Sequence, residues 1–179
     1  MWKRVLTHLN ISLFWSKVWL EIHIMSSKYL TINEIITEVQ KRHPGLVVNQ
    51  NWGETGLFYN PQNQLSKGIY LLTFKEKDGK NDRSSCLNRE GIFRMNLGIS
   101  KNTFLQHFGR IPKRPEAGGI VDLEYDFSKS DTLLPHPIYI WMAWVCVLNP
   151  SEKTFRDLIP LIEEGYSLAL NKYSKKKLS

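Results

Sequence analysis

The apolar positions of this chain change period as it is read from its N-terminus. Ile32, Ile35, Ile36 and Val39 recur at helical spacing. They follow Thr31-Ile32-Asn33-Glu34, in which Thr31 can cap the first turn and Glu34 can reach back to it. His43-Pro44-Gly45 then stops the helix. Beyond it the period shortens to two, and strands are predicted over residues 46–51, 56–59, 68–75 and 92–97. Turns at Asn60-Pro61-Gln62-Asn63 and Lys77-Asp78-Gly79-Lys80 separate them. In the fourth strand Phe93, Met95 and Leu97 share one face, and Ile92, Arg94 and Asn96 share the other. Ser100 can cap a short helix through Phe108, closed by Gly109. The connection that follows, residues 109–135, carries Pro112, Pro115, Gly118 and Gly119 and has no regular period. So long a loop inside a small domain is either functional or a cover over one face of the sheet.

The next segment abandons alternation. Residues 138–148, inside PHPIYIWMAWVCVLNPS, include no charged residue and no Asn, Gln, Ser, Thr, Gly or Pro. The run is far short of the roughly 20 apolar residues that span a bilayer. Its β-branched and aromatic content predicts a buried strand, with Ile138, Ile140, Met142, Trp144, Cys146 and Leu148 on one face. Tyr139, Trp141, Ala143, Val145 and Val147 fall on the other, so both faces require cover. Ser151 predicts a helix to about residue 158, and Pro160 suits the first turn of a final helix with Leu161, Ile162, Tyr166, Leu168 and Leu170. Hairpins flanked by helices make an α+β single domain with a largely antiparallel sheet.

Composition alters this picture only at the ends. The net charge of +7 suggests nucleic acid until it is located. Residues 1–24 carry +2, the nine residues from 171 carry +4, and the body between them is nearly neutral. A Lys-rich tail over residues 175–179 after a helix complements the helix dipole, and nucleic-acid contact through it is the sharper alternative. Residues 1–24 read as a mis-called or disordered extension, because Lys17 and Glu21 interrupt any signal or membrane segment. The domain proper is then 25–174. Two cysteines, Cys86 and Cys146, make neither a disulfide framework nor a zinc pattern, which points to a reducing cytoplasm.

From about Ile32 to Lys175 the chain resembles the bacterial domain-of-unknown-function family 6194. The residues carrying this are Trp52-Gly53, Phe58-Tyr59-Asn60-Pro61, Asp82-Arg83, the run Gly91-Ile92-Phe93-Arg94-Met95-Asn96-Leu97-Gly98, and Pro135-His136-Pro137 through Trp144-Val145-Cys146-Val147-Leu148-Asn149-Pro150. The resemblance implies no activity and no catalytic residues. The order of parts is more distantly similar to MmcQ/YjbR-like proteins of the double-wing, CyaY-like fold, through Pro44-Gly45, Trp52-Gly53 and a final helix bearing Tyr166-Ser167-Leu168. That likeness implies a DNA-binding label, although fold alone does not fix function. The neutral body and the 109–135 insertion depart from it.

Candidate chemistry is sparse. Arg94 and Asn96 form the best polar pair, with Asp82 and Arg83 in the preceding loop, and a guanidinium beside an amide can hold a carboxylate or phosphate. The plainer alternative is a wet face with Arg94 paired to Asp82 or Glu54. His136, between two prolines, is placed to act as base or ligand, or simply lies in a stiff extended lead-in. Trp141 and Trp144 have opposite parity, and one of them, in first place Trp141 with Tyr139, can floor a pocket closed by the 109–135 loop; Trp52 is a further aromatic, and core packing is the alternative for all of them. Asp122, Glu124, Asp126 and Asp131 begin like a calcium loop, but Phe127 stands where the glycine is required and Leu133 where the bidentate Glu is required. No metal site and no cofactor motif follows, and His43 and His107 sit where helix dipoles explain them. Three functions remain. The leading one is a small binding or interaction domain of unknown ligand, a homodimer if the loop leaves one strand face bare. The others are a double-wing nucleic-acid binder, and a small-molecule enzyme with a pocket around Arg94 and His136.

Overall fold

The capping box forms as its spacing predicts. Thr31 Oγ1 accepts from the Glu34 amide at 3.3 Å, and Glu34 accepts from the Thr31 amide at 2.8 Å, opening helix α1 (Ile32–Arg42). The Thr31 amide and the Lys28 ammonium hold the Glu34 carboxyl down to about 2. In the computed structural model, which describes residues 28–51, 53–116, 121 and 124–177, the strands follow as β1 (Leu46–Asn51), β2 (Glu54–Tyr59), β3 (Ile69–Lys75) and β4 (Arg94–Gly98). Helix α2 (Lys101–Phe108) comes next, then β5 (Leu134–Pro135), β6 (Trp144–Leu148) and helix α3 (Glu152–Lys177). The expectations placed on residues 1–24 lie outside the described residues.

All neighbouring strands are antiparallel, in the order β1-β2-β3-β4-β6-β5. A two-residue turn joins β1 to β2, and Gly53 takes φ +76 there, a conformation an L side chain rarely adopts. The sheet has one apolar face, carrying Leu57, Leu72, Phe74, Met95, Leu97, Val145 and Val147. Onto it pack Ile35, Ile36 and Val39 of α1, Phe104 of α2, and Phe155, Leu158, Leu161 and Ile162 of α3. Helix α3 approaches the sheet tightly at Gly165, where an added Cβ would stand 2.9 Å from the Leu97 side chain and 3.1 Å from the Gly98 carbonyl.

Three features differ from the sequence expectations. The final helix is continuous through Pro160. Its buried stripe, Phe155, Leu158, Ile162, Gly165, Ala169 and Tyr173, runs across the proline, and that burial outweighs one missing backbone hydrogen bond. Lys175, Lys176 and Lys177 are the last turn of this helix. Second, residues 138–148 are not one strand. Ile140–Met142 form a 3₁₀ turn, Ala143 takes a left-handed conformation at φ 58, ψ 42, and only Trp144–Leu148 is strand. Third, the far face of β6 is covered from within the chain. Phe127 and Leu134 pack on Cys146, and Ser130 bridges to Leu148. The late part of the 109–135 loop is thus the cover over Cys146 and Leu148, while Trp144 on the same side stays half-buried. No helix among the described residues is long and apolar enough to cross a membrane.

Candidate functional site

The sheet face turned away from the helices is built by register. Glu54 pairs with Lys75 and Lys75 with Arg94, while Gly56 pairs with Thr73, Thr73 with Asn96 and Asn96 with Cys146. Directly opposed residues project to the same side, so two rows of mostly polar side chains cross this face. A bulge at Leu57/Phe58 adds a residue to β3. Leu71 and Leu72 therefore both enter the core, while Tyr70 and Thr73 both face the other way.

These rows close into a chain of contacts. Glu54 accepts from Lys75 Nζ at 2.8 Å, and Lys75 Nζ stands 3.7 Å from Asp82. The Arg94 guanidinium donates to both Asp82 oxygens, at 2.9 and 2.5 Å, to Ser85 Oγ at 2.9 Å and to Asn96 Oδ1 at 2.9 Å. Asn96 Nδ2 in turn donates to Thr73 Oγ1 at 2.9 Å. Arg94 is only 1% exposed. Burial opposes its charge, and the Asp82 hydrogen bonds and charge outweigh that opposition, so the guanidinium's proton affinity ends above its usual value. The pairing with Asp82 foreseen from sequence forms, but in the interior and not on a wet face. A guanidinium so engaged is structural, with no donor pair left to clamp a free phosphate.

Both ends of this chain, Glu54 and Thr73, line a cleft of about 430 Å³. Phe58 and Tyr70 form one wall, their rings 4.5 Å apart. Tyr139 and Trp144, 6.4 Å apart, form the other with Met142. His136 completes the lining beside both, 4.9 Å from the Tyr139 ring and 6.3 Å from Trp144. Tyr139, Tyr70 and Met142 are 45%, 42% and 48% exposed, which makes the mouth a solvent-facing apolar rim.

His136 is the most constrained group in the cleft. Its Nδ1 accepts from the amides of Ile138 and Tyr139, both at 3.0 Å, and its own amide donates to the Trp144 carbonyl at 2.9 Å. With Nδ1 occupied as acceptor, the neutral ring carries its proton on Nε2. Burial, and then the nearby Arg94 and Lys75 charges, push its pKa well below the usual imidazole range. The imidazole is therefore a fixed neutral donor. Its basic nitrogen is already used by backbone, so Nδ1 is not free to take a proton or hold a metal, and Nε2–H is the atom left to meet a partner.

A family model of unknown function, DUF6194, matches residues 30–178. The chain belongs to that family. No curated protein and no solved structure matches it significantly. The match spans every helix and strand among the described residues of this DUF6194 domain. The segments that carried the family resemblance also meet around the cleft. Phe58 and Trp144 are in its walls, His136 is in its lining, and Asp82, Arg94 and Asn96 are beneath it.

Of the residues singled out from sequence, His136 and Tyr139 line the cleft, while Arg94, Asn96 and Asp82 support its floor. Trp141 does not line it and instead lies under the Arg114 guanidinium, 4.7 Å from the ring centre. Trp52 and Asp122 fall outside the described residues. Sequence reasoning missed Glu54, Gly56, Phe58, Tyr70, Thr73 and Met142 as cleft residues, and preferred Trp141 to Trp144. One signal was present. Trp144 shares parity with Cys146, which faces Asn96, whereas Trp141 does not. Elsewhere the candidates are quiet. Asp126, exposed, accepts from the Ser128 amide at 3.0 Å and hydroxyl at 2.6 Å, and no cluster able to hold a metal occurs among the described residues. Cys86 is exposed, while burial pushes the Cys146 thiol up to about 12.

Proposed function

We propose that this domain binds a small organic ligand in the cleft between the Phe58–Tyr70 wall and the Tyr139–Trp144 wall. The observation that carries the reading is the combination of solvent-facing aromatic walls with a polar floor held rigid from below. Glu54 and Thr73 are fixed by the buried Arg94 network, and His136 by two backbone amides. The cleft's volume lies within the range of small-molecule sites, and a mainly apolar lining with a few placed polar groups is their usual composition. Binding suits this arrangement better than catalysis, since its imidazole offers a donor and not a base. Two cysteines free of disulfide, Cys86 and Cys146, fit a reducing cytoplasmic setting within the same reading.

The element order also supports kinship with the MmcQ/YjbR-like double-wing proteins. We extend that kinship to fold and not to nucleic-acid binding, because neither Lys nor Arg is among the described residues lining the cleft. A thermal-shift screen of aromatic metabolites and short oligonucleotides tests the reading. A ligand at 100 times its dissociation constant adds about 2.7 kcal/mol of stability. The expected hit is an aromatic metabolite whose shift vanishes in Tyr139→Ala. Shifts from oligonucleotides alone, weakened by deleting the Lys-rich end of α3, would replace the cleft with the tail as the binding site.

A further inference from the structure

We infer that the cleft selects a flat, uncharged ring carrying a lactam edge, with its carbonyl toward His136 and Thr73 and its N–H toward Glu54. This rests on the cleft being the ligand site and specifies its chemistry. The shape argument comes from the walls. Two aromatic pairs, Phe58–Tyr70 and Tyr139–Trp144, face one cavity, and aromatic faces favour offset stacking on a planar partner.

The polar argument comes from what the floor has left to offer. His136 uses Nδ1 on two amides, so Nε2–H is its remaining polar atom, and Nε2 has no hydrogen-bond partner among the described residues. Thr73 Oγ1 receives Asn96 Nδ2, which leaves the hydroxyl proton to donate. Glu54 gives Oε1 to Lys75 and keeps Oε2 as an acceptor. Two donors and one acceptor on one floor match a C=O next to an N–H. A buried donor that meets no acceptor costs free energy, so a purely apolar occupant leaves His136 unsatisfied.

Charge decides against the other occupants. Glu54 and Asp82 balance Lys75 and Arg94 beneath the floor. An anion finds no free cation in the described lining. A quaternary ammonium would suit the aromatic walls, but it would present no acceptor to His136 or Thr73.

The test uses three probes of similar size on the full chain: isoquinolinone, naphthalene and phenyltrimethylammonium, titrated calorimetrically. Isoquinolinone is expected to bind about tenfold more tightly than naphthalene, the scale of one good hydrogen bond. In His136→Asn the Asn oxygen can stand where Nδ1 stood and keep accepting from the Ile138 and Tyr139 amides, while the Nε2–H donor is lost. That variant should lose the tenfold preference, its affinities for isoquinolinone and naphthalene becoming equal. Equal binding of the two bicycles, a preference that survives His136→Asn, or tightest binding of the ammonium probe overturns the lactam assignment and leaves the cleft standing. Failure of all three probes, or binding unchanged by both Tyr139→Ala and Tyr70→Ala, overturns the cleft itself.

Discussion

The two faces of the sheet are stabilised by different physics. On the helix side, Leu57, Leu72, Phe74, Met95 and Leu97 gain from burial without direction, and any well-shaped apolar neighbour would serve. On the cleft side, Arg94, Asp82, Asn96 and Thr73 are held by directed bonds, each dependent on the next. The first face tolerates loss in proportion to volume removed, while the second fails as a unit. The side that carries the proposed ligand cleft is thus the one with the least freedom to rearrange.

The largest effect should come from Asp82→Ala. It strands a guanidinium that is 1% exposed, and removal of one partner from a buried pair costs about 3–5 kcal/mol. Urea unfolding should show this, and a loss below 1 kcal/mol would mean that the two faces are not as different as argued. Leu97→Ala, on the apolar side, should cost about 2–5 kcal/mol through transfer and cavity terms. Its double mutant with Asp82→Ala should be close to additive, and strong coupling in that cycle would show the faces to be one system.

Next is a pH effect. The folded pKa of His136 lies well below its usual value, so below about 6.5 the unfolded chain takes up a proton that the native state refuses. Stability should therefore be full above that pH and fall as pH drops, by up to about 1.4 kcal/mol per unit from this group. His43, buried against Tyr166 at 4.5 Å and likewise lowered by burial, adds in the same direction. Unfolding curves at pH 7.5, 6 and 5 should steepen this way, with a shallower slope in His136→Asn. An unchanged slope in that variant would place the effect elsewhere. Smallest of all, Tyr139→Ala should move stability by less than about 0.5 kcal/mol, as expected of an exposed side chain, while removing ligand binding.

Much of the fold was legible because local signals agreed with it. The Thr31–Glu34 capping box, the alternation of Arg94 and Asn96 against Met95 and Leu97, and the Ser100 cap each reappear in three dimensions. Two local signals misled. Pro160 resembles a helix start, and only the tertiary stripe on either side shows why the helix continues. Ala143 carries no mark of a left-handed turn, yet that turn cuts the apolar run and directs attention from Trp141 to Trp144. The candidate site was half legible. His136, Tyr139 and the Arg94–Asn96 pair can be found by composition and parity. Glu54, Gly56 and Thr73 cannot, since their role comes from cross-strand register, and register is a property of pairs of distant segments.

That register gives the Arg94 network a second consequence. Sliding one strand by two residues preserves the alternation of apolar and polar positions, so the hydrophobic pattern alone does not distinguish the correct alignment from its nearest competitors. The arc from Glu54 through Lys75, Asp82, Arg94 and Asn96 to Thr73 does distinguish them, because a two-residue slip of β4 against β3 would part Asn96 from Thr73 and Arg94 from Lys75 in one step. The polar face thus favours the native strand alignment, because only that alignment makes its directed bonds.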